Sequence, residues 1–186
     1  MWNAHYSRVI ENQLDVVHVP FIHYNTIGRG NKTVVQGPRF VLERLPDGDD
    51  LLNIWTRNEV DQGQIPLKPN DVPPTDKHPQ LQFRFPNIWH NWIGDTFHLF
   101  LGFVPIDGEH TKLYLRTYHA VKTPILRQVM NFFGDQSNLV IERQDRRVVV
   151  TQRPHRPDLG IGEILIQGDN PIVLYRKIRK ALIEGG

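Results

Sequence analysis

The sequence predicts an α+β domain, in which helices pack on one face of an antiparallel sheet. Its 186 residues suit one domain with a single core. Short segments rich in Val, Phe, Trp, Leu and Tyr dominate residues 32–121 and are separated by turn-forming residues. Longer stretches with apolar residues at helical spacing follow them. Strands that are grouped together and then followed by helices are typical of this class.

The chain begins with a predicted helix. Ser7 is a suitable capping residue, apolar residues recur at helical spacing as far as Val17, and Pro20 ends the helix. His18 is therefore expected near the C-terminal end of this helix.

Six segments of alternating character predict the strands of the sheet. They span residues 32–35, 39–44, 51–57, 80–85, 96–104 and 112–121. Turns such as Asp107-Gly108 separate them, and the proline-rich residues 66–79 predict a loop across the surface.

The last third of the chain predicts two helices. A long one starts at Pro124, with Gly134 as an interruption and Pro154 as its end, and a closing one starts after Asp169. We expect the long helix to lie on the sheet and to enclose a pocket with it, as in many small-ligand sites.

Composition excludes several classes of protein. The 22 basic and 20 acidic residues give a net charge of +2 without a long basic block, which argues against a nucleic-acid partner. The chain has no cysteine, so it cannot form disulfides, zinc fingers or a cysteine-ligated iron–sulfur cluster. No apolar run is long enough to span a bilayer and no signal peptide pattern follows Met1, so we expect a cytoplasmic protein.

The segment from Asn12 to His23 is the best candidate for a functional site. Asn12, Asp15 and His18 are three residues apart and would share one face of a helix. Pro20 interrupts that helix, so the chain can fold back and bring His23 to His18. Two imidazoles and a carboxylate form the kind of metal site that leaves coordination positions open. The alternative is that these are structural histidines, since the chain contains nine.

An aromatic cluster in the sheet region has two interpretations. It consists of Trp89, Trp92, Phe97, Phe100 and Phe103. These residues could line a pocket for a flat apolar molecule, but such clusters are more often core, and we expect core here. His90 or Asn91 is a candidate polar group in the cavity.

The spacing Asn-x-x-Asp-x-x-His-x-x-x-x-His resembles the mononuclear-iron motif of Rieske-type non-heme iron oxygenases, the aromatic-ring-hydroxylating oxygenases. The resemblance implies that His18 and His23 bind Fe(II). A later segment, residues 139–152, contains a Gln-Asp pair followed by an apolar run and resembles the monooxygenase and demethylase branch. It implies Asp145 as the carboxylate ligand, with Asp135 as a weaker rival and an ordinary surface carboxylate as the alternative.

The same resemblance implies a fold and a set of roles. The fold is a helix-grip (START/Bet v 1-like) antiparallel sheet wrapped around a long helix, with an internal hydrophobic cavity, over a single domain of residues 1–186. Asp15 would orient the His18 imidazole and link it to a Rieske-ligating histidine of a neighbouring subunit. Asn12 would be a polar residue near the iron.

The absence of cysteine departs from this family, whose members carry a two-iron two-sulfur cluster ahead of the catalytic domain. We therefore expect the Rieske centre on a separate domain or chain, with a ferredoxin or reductase as electron donor. The implied enzyme is a homo-oligomer (trimer) that uses O2 to hydroxylate or O-demethylate an aromatic or hydrophobic substrate.

Two other functions stay open from the sequence. One is a metal-free helix-grip module that binds a hydrophobic ligand, since a fold does not determine a function. The other is a scaffold subunit that has lost its activity, which Asp145 pointing away from the two histidines would favour.

Overall fold

The computed structural model describes residues 1–73 and 78–185 and shows the predicted α+β architecture. A six-stranded antiparallel sheet has its strands in chain order, so each strand pairs with the next along the sequence. The strands are β1 (Val34–Arg44), β2 (Asp50–Glu59), β3 (Leu81–Arg84), β4 (Ile88–Trp92), β5 (Phe97–Pro105) and β6 (Thr111–His119). The helices are α1 (Tyr6–Leu14), α2 (Val19–Ile22), α3 (Pro124–Val149) and α4 (Asn170–Glu184). In the described part of the chain, no helix has the length and apolarity that crossing a membrane requires.

The core lies between the inner face of the sheet and helices α1 and α4. One row of paired residues crosses four strands, with Leu52 opposite Phe83, Phe83 opposite Trp89, and Trp89 opposite Leu101. All four side chains are buried, and Tyr175 of α4 packs edge-on against Phe83. Side chains of one face meet in this way because strand residues alternate between the two faces of a sheet.

A buried network of charges joins α1 to α4. Arg176 donates to both carboxylate oxygens of Glu11, at 2.7 and 2.9 Å, and Arg8 donates to Glu11 at 3.1 Å. Glu163 lies 2.7 Å from each of the two arginines. Two positive and two negative side chains therefore compensate one another, which a buried charge requires.

Strand β4 was not predicted, and the two strands predicted at residues 32–35 and 39–44 form the single strand β1. In β4 the inward residue Trp89 is flanked by the outward residues Ile88 and His90, so the segment lacks a polar face and the alternation that would mark it. Strand β1 continues through a bulge between Gln36 and Arg39. Gly37 lies in this bulge at a φ of +90°, a conformation that favours glycine.

The predicted helix boundaries need three corrections. Helix α1 is capped by His5, not Ser7, and it ends at Leu14; Pro20 lies at the start of α2 instead of ending α1. Helix α3 runs through Gly134 and ends at Val149, before Pro154. A single glycine lowers helix stability by about 1 kcal/mol but leaves the backbone hydrogen bonds possible.

The proline-rich segment follows the edge of the sheet where it is described. A short helical turn, Pro69–Asp71, packs against β1, and the Gly37 amide donates to the Leu67 carbonyl at 3.1 Å. Residues 74–77 of the predicted surface loop, including Pro74, lie outside the described residues.

Candidate metal centre

A tight turn and one turn of helix bring His18 and His23 together. After α1 ends, the Asp15 carboxylate accepts hydrogen bonds from the amides of Val17, at 2.7 Å, and His18, at 3.2 Å. His18 and His23 then flank the four residues of α2, and their ring centroids lie 5.3 Å apart. The two imidazoles meet as the sequence predicts, although the turn at Asp15 contributes to this as well as Pro20.

Gly28 is required for the close packing of this segment. Its amide donates to the His23 carbonyl at 2.9 Å. A Cβ atom at this position would collide with the backbone carbonyl of Val19 in α2. The segment that follows His23 can therefore fold back on α2 only with glycine here.

Asp145 of α3 lies against both histidines. Its Oδ1 atom is 3.0 Å from His23 Nε2 and 3.5 Å from His18 Nε2, and the residue is 4% exposed. Among the described residues, these three form the one group of His, Cys, Asp or Glu side chains close enough to hold a metal ion. Asp135, the rival ligand, is exposed on α3 and is not in this group. An Asp145 side chain that pointed away from the two histidines would have favoured an inactive scaffold subunit. Asp145 faces both histidines instead.

Both imidazoles are oriented through their Nδ1 atoms. His18 Nδ1 donates to the Asp15 backbone carbonyl at 2.7 Å, and His23 Nδ1 donates to Gln144 Oε1 at 2.8 Å. These acceptors select the tautomer with the proton on Nδ1, so the Nε2 lone pairs face Asp145. The orientation of His18 by Asp15 thus comes from the backbone carbonyl, whereas the carboxylate Oδ2 atom is 3.8 Å from the ring.

The donor set fits a metal ion. Asp145 Oδ1 is buried and accepts no hydrogen bond from any described residue, in spite of the two nearby imidazoles. Ligands bound at about 2.1 Å in neighbouring octahedral positions are about 3.0 Å apart, close to the spacings of 3.0 and 3.5 Å observed here. An unpaired carboxylate oxygen facing two imidazole lone pairs is the arrangement that a divalent cation would complete.

The electrostatics of the group also favour a cation. Burial alone would raise the pKa of Asp145, but contact with His18 and His23 outweighs it and holds the pKa well below its usual range. Burial alone would lower the pKa of His18, but the carboxylates of Asp145 and Asp15 outweigh it and raise the pKa. The centre therefore presents a charged carboxylate that stabilises positive charge beside it.

Asn12 and His18 do not share one helix, and a role of Asn12 near the iron stays a prediction. The three-residue spacing of Asn12, Asp15 and His18 predicts a shared helix face, but the chain leaves the helical conformation at Asp15, with a ψ of 111°. Asn12 is buried, its side-chain nitrogen has no hydrogen-bond partner among the described residues, and it does not line the cavity next to the centre. Its neighbour Gln13 lines the cavity, and Gln13 Nε2 donates a hydrogen bond to Asp145 Oδ2 at 3.3 Å.

A cavity of about 750 Å³ separates the sheet from α3 and has the metal centre in its wall. Its lining is mainly apolar, and it has the size of typical small-molecule sites. On α3 the lining residues follow the i, i+3, i+4 spacing of one helix face: Gly134, Ser137, Asn138, Ile141, Glu142 and Asp145. No atom lies within 4 Å of a Cβ built on Gly134, so this glycine widens the cavity.

The aromatic cluster is divided between three environments. Trp89 and Phe103 are in the core, and Trp89 and Phe97 line the cavity. Trp92 borders the cavity, but its ring packs against His90 and His98 on the outer face of the sheet, where Phe100 is 39% exposed. The expectation that all five are core is confirmed for Trp89 and Phe103 and wrong for Trp92, Phe97 and Phe100. Trp92 and Phe100 are excluded because alternation along β4 and β5 sends neighbouring side chains to opposite faces.

The two candidate polar groups are also separated. Asn91 lines the cavity. His90 is on the outer face, where its Nε2 atom lies 3.2 Å from His98 Nδ1 and its ring stacks on Phe100. Successive residues of β4 point to opposite faces, so one of the two had to be excluded from the cavity.

Two glutamines, Gln13 and Gln144, contact the centre and were not predicted as site residues. Gln144 immediately precedes Asp145, and this position next to the carboxylate ligand could have indicated from the sequence that Gln144 belongs to the site. Its Oε1 atom accepts hydrogen bonds from His23 and from Thr26 Oγ1, the latter at 2.9 Å. The contact itself depends on how α3 docks on the α1–α2 turn.

Solved structures show the class of fold. NdmA of Pseudomonas putida CBB5, solved with caffeine, matches with a TM-score of 0.64 and 19% identity over 98% of this chain and 49% of that chain. NdmB from the same organism matches with a TM-score of 0.62 and 17% identity, over 97% of this chain and 47% of that chain. The oxygenase of carbazole 1,9a-dioxygenase, in its reduced complex with ferredoxin, matches with a TM-score of 0.62 and 15% identity, over 100% of this chain and 56% of that chain. The shared fold is that of Rieske-type oxygenase catalytic domains, and the chain spans about half the length of these proteins.

A sequence comparison then gives the family. The model of the vanillate O-demethylase oxygenase C-terminal domain matches residues 2–185, so the chain belongs to this family of Rieske-type oxygenase domains, which are oxidoreductases. No curated protein sequence matches the chain. The family resemblance stated from the two sequence motifs is confirmed.

Proposed function

We propose that this chain is the catalytic domain of an O2-dependent oxygenase that hydroxylates or O-demethylates an aromatic or hydrophobic substrate at one Fe(II). The observation that carries the proposal is the convergence of His18, His23 and Asp145 in the wall of an apolar cavity. Both imidazoles are held in the tautomer that ligation needs, and Asp145 has an unpaired buried oxygen.

The residues of the chain would divide the work of the site. His18, His23 and Asp145 would hold Fe(II), which supplies the redox chemistry that activates dioxygen at positions left open by three protein ligands. The Asp15 carbonyl and Gln144 keep the imidazoles in place. Trp89 and Phe97 give the cavity flat apolar walls against which an aromatic ring can stack while water is excluded.

Electrons have to come from outside this chain. A Rieske centre needs cysteine ligands, and residues 1–186 contain none. We infer a two-iron two-sulfur cluster on a separate domain or chain, and a ferredoxin or reductase as its donor. The solved complex of carbazole 1,9a-dioxygenase with ferredoxin supports this inference, because its oxygenase shares the fold.

The predicted homo-oligomer also remains a proposal. The residues of α3 that do not line the cavity include exposed apolar side chains, such as Ile125, Phe132 and Phe133, which are 61–77% exposed. Exposed apolar surface of this kind marks protein–protein contacts, which supports an enzyme of several chains.

Anaerobic loading with ferrous iron tests the metal site. We expect about one iron per chain for the wild type and none for Asp145→Ala or His18→Ala, because each removes one of three ligands. The carboxylate Asp135 on the same helix supplies the matched control, and Asp135→Ala should load like the wild type. Equal iron in all four proteins would contradict the site, and a hydrophobic ligand bound without metal would favour the carrier module.

A further inference from the structure

The cavity contains a carboxylate that the metal centre does not use. Its acidic lining residues are Asp15, Glu142 and Asp145. Asp145 belongs to the metal centre, and the Asp15 carboxylate caps the turn before α2 through two backbone amides. The other Asp15 oxygen, Oδ2, lies 3.8 Å from His18 Nδ1. Within the described part of the chain, Glu142 is therefore the acidic lining residue that forms no ion pair with a histidine of the centre.

Trp2 holds one oxygen of this carboxylate in place. The Trp2 indole nitrogen donates to Glu142 Oε1 at 2.8 Å across 140 residues of sequence. Trp2 is itself fixed, because its side chain is 1% exposed and its backbone pairs with Thr111 through two hydrogen bonds of 2.8 and 3.0 Å. The carboxylate orientation is thus determined by the core, and not by solvent.

The second oxygen of Glu142 has no protein donor. No described residue donates a hydrogen bond to Oε2, and this atom is not among the buried atoms that lack a partner, so it reaches open space. Glu142 also lines the cavity. A carboxylate oxygen that loses water when an apolar ligand fills the cavity needs a donor from that ligand.

We propose that Glu142 selects substrates that carry an O–H or N–H donor on the ring held in the cavity. This inference rests on the proposed function and adds a specificity-determining residue to it. Glu142 precedes Asp145 by three residues, which is about 4.5 Å along the helix axis. Both residues line the cavity from the same helix, so a substrate donor that contacts Glu142 lies on the same wall of the cavity as the metal centre.

Two small aromatic ethers test this inference by direct binding to the full chain. Guaiacol is an aromatic methyl ether with a neighbouring hydroxyl, and in veratrole that hydroxyl is methylated. Isothermal titration should show guaiacol binding to the wild type at least about tenfold more tightly than veratrole, since a hydrogen bond to a charged acceptor has this effect. In Glu142→Leu, which substitutes an apolar side chain of similar size, the two affinities should be equal.

Two further variants separate selection from folding. Trp2→Phe keeps an aromatic ring in the core but removes the indole N–H, so the carboxylate loses its anchor and the preference for guaiacol should fall severalfold. Asp135→Leu removes an exposed carboxylate of α3 that does not line the cavity, and its preference should equal that of the wild type.

The inference is overturned if neither probe binds the wild type, if both bind equally, or if Glu142→Leu keeps the preference. These outcomes differ from a failure of the proposed function, which would appear as absent iron in the wild type. Glu142→Leu should load iron like the wild type, because Glu142 is not a ligand.

Discussion

Gln144 connects three parts of the metal centre at the scale of single residues. Its carbonyl oxygen accepts from His23 Nδ1, and its amide nitrogen donates to Asn25 Oδ1 at 2.7 Å. It is covalently adjacent to Asp145. Gln144 therefore orients His23 from a position next to the carboxylate ligand Asp145. We assign Gln144 a positioning role.

Substituting Gln144 should weaken metal binding without removing a ligand. In Gln144→Leu the His23 Nδ1–H loses its acceptor, and we expect ferrous iron affinity to fall about 10- to 100-fold. Gln144→Glu keeps an acceptor oxygen and should restore most of it. Competition with a chelator of known affinity measures both variants.

The matched control is Gln136→Leu, an exposed glutamine on the same helix that should leave affinity unchanged. The visible and near-infrared spectrum of the bound ion gives a second readout, because a rotated His23 changes the ligand field. Wild-type affinity and spectrum in Gln144→Leu would contradict the positioning role.

At the scale of secondary structure elements, the start of α1 depends on a neutral histidine. His5 Nδ1 accepts from the Ser7 amide at 3.3 Å and lies 2.6 Å from Ser7 Oγ. Burial, and then the guanidinium groups of Arg179, Arg156 and Arg8, lower the pKa of His5 to about 4. A protonated ring would lose its role as acceptor at this cap.

This cap predicts a loss of stability in acid. The unfolded chain binds the His5 proton with a pKa of 6.5, above the folded value of about 4, so the free energy of unfolding decreases as pH falls from about 6.5 to 4. His5→Asn keeps a capping acceptor that does not titrate. Between pH 7 and pH 4.5, the wild type should lose about 2–3 kcal/mol more than this variant in urea unfolding.

The exposed His155 provides the comparison for that experiment. His155→Asn removes a histidine that makes no buried contact, so its pH profile should follow the wild type. Parallel profiles for the wild type and His5→Asn would show that the His5 proton is not linked to folding.

At the scale of the whole molecule, the metal centre joins parts that otherwise touch little. Helix α3 has 26 residues, of which Asp145 and Val149 are buried, and the cavity separates most of the helix from the sheet. The histidines come from the α1–α2 turn. A metal ion bound by both parts would therefore act as a cross-link between the long helix and the rest of the domain.

Ferrous iron should stabilise the whole fold. At a free concentration of about 100 times the Kd, binding adds about 2.7 kcal/mol, which corresponds to a rise in Tm of about 5–10 °C for a chain of this size. Anaerobic thermal unfolding followed by circular dichroism measures the shift, which a chelator should reverse. Asp145→Asn should show no shift and Asp135→Asn the full shift; an equal response of both would place the ion elsewhere.

The local pattern of the sequence was enough for the fold class, five of the six strands and three of the four α-helices, because periodicity and capping depend on neighbouring residues. It also predicted, through motifs that resemble a known family, the grouping of His18, His23 and Asp145 that the structure brings together. It did not identify β4, because large apolar residues occur on both of its faces, with Trp89 inward and Ile88 and Trp92 outward, and this hides the alternation.

The remaining features depend on contacts between residues far apart in the chain. Asn12 and His18 do not share one helix because α1 ends at Leu14, and the Gln144 contact with His23 exists only when α3 docks on the α1–α2 turn. The Trp2–Glu142 hydrogen bond spans 140 residues. The sequence alone therefore determined the residue types and their local spacing. Which of their atoms face one another, and which face the cavity, followed only from packing, since no local preference determines contacts at that separation.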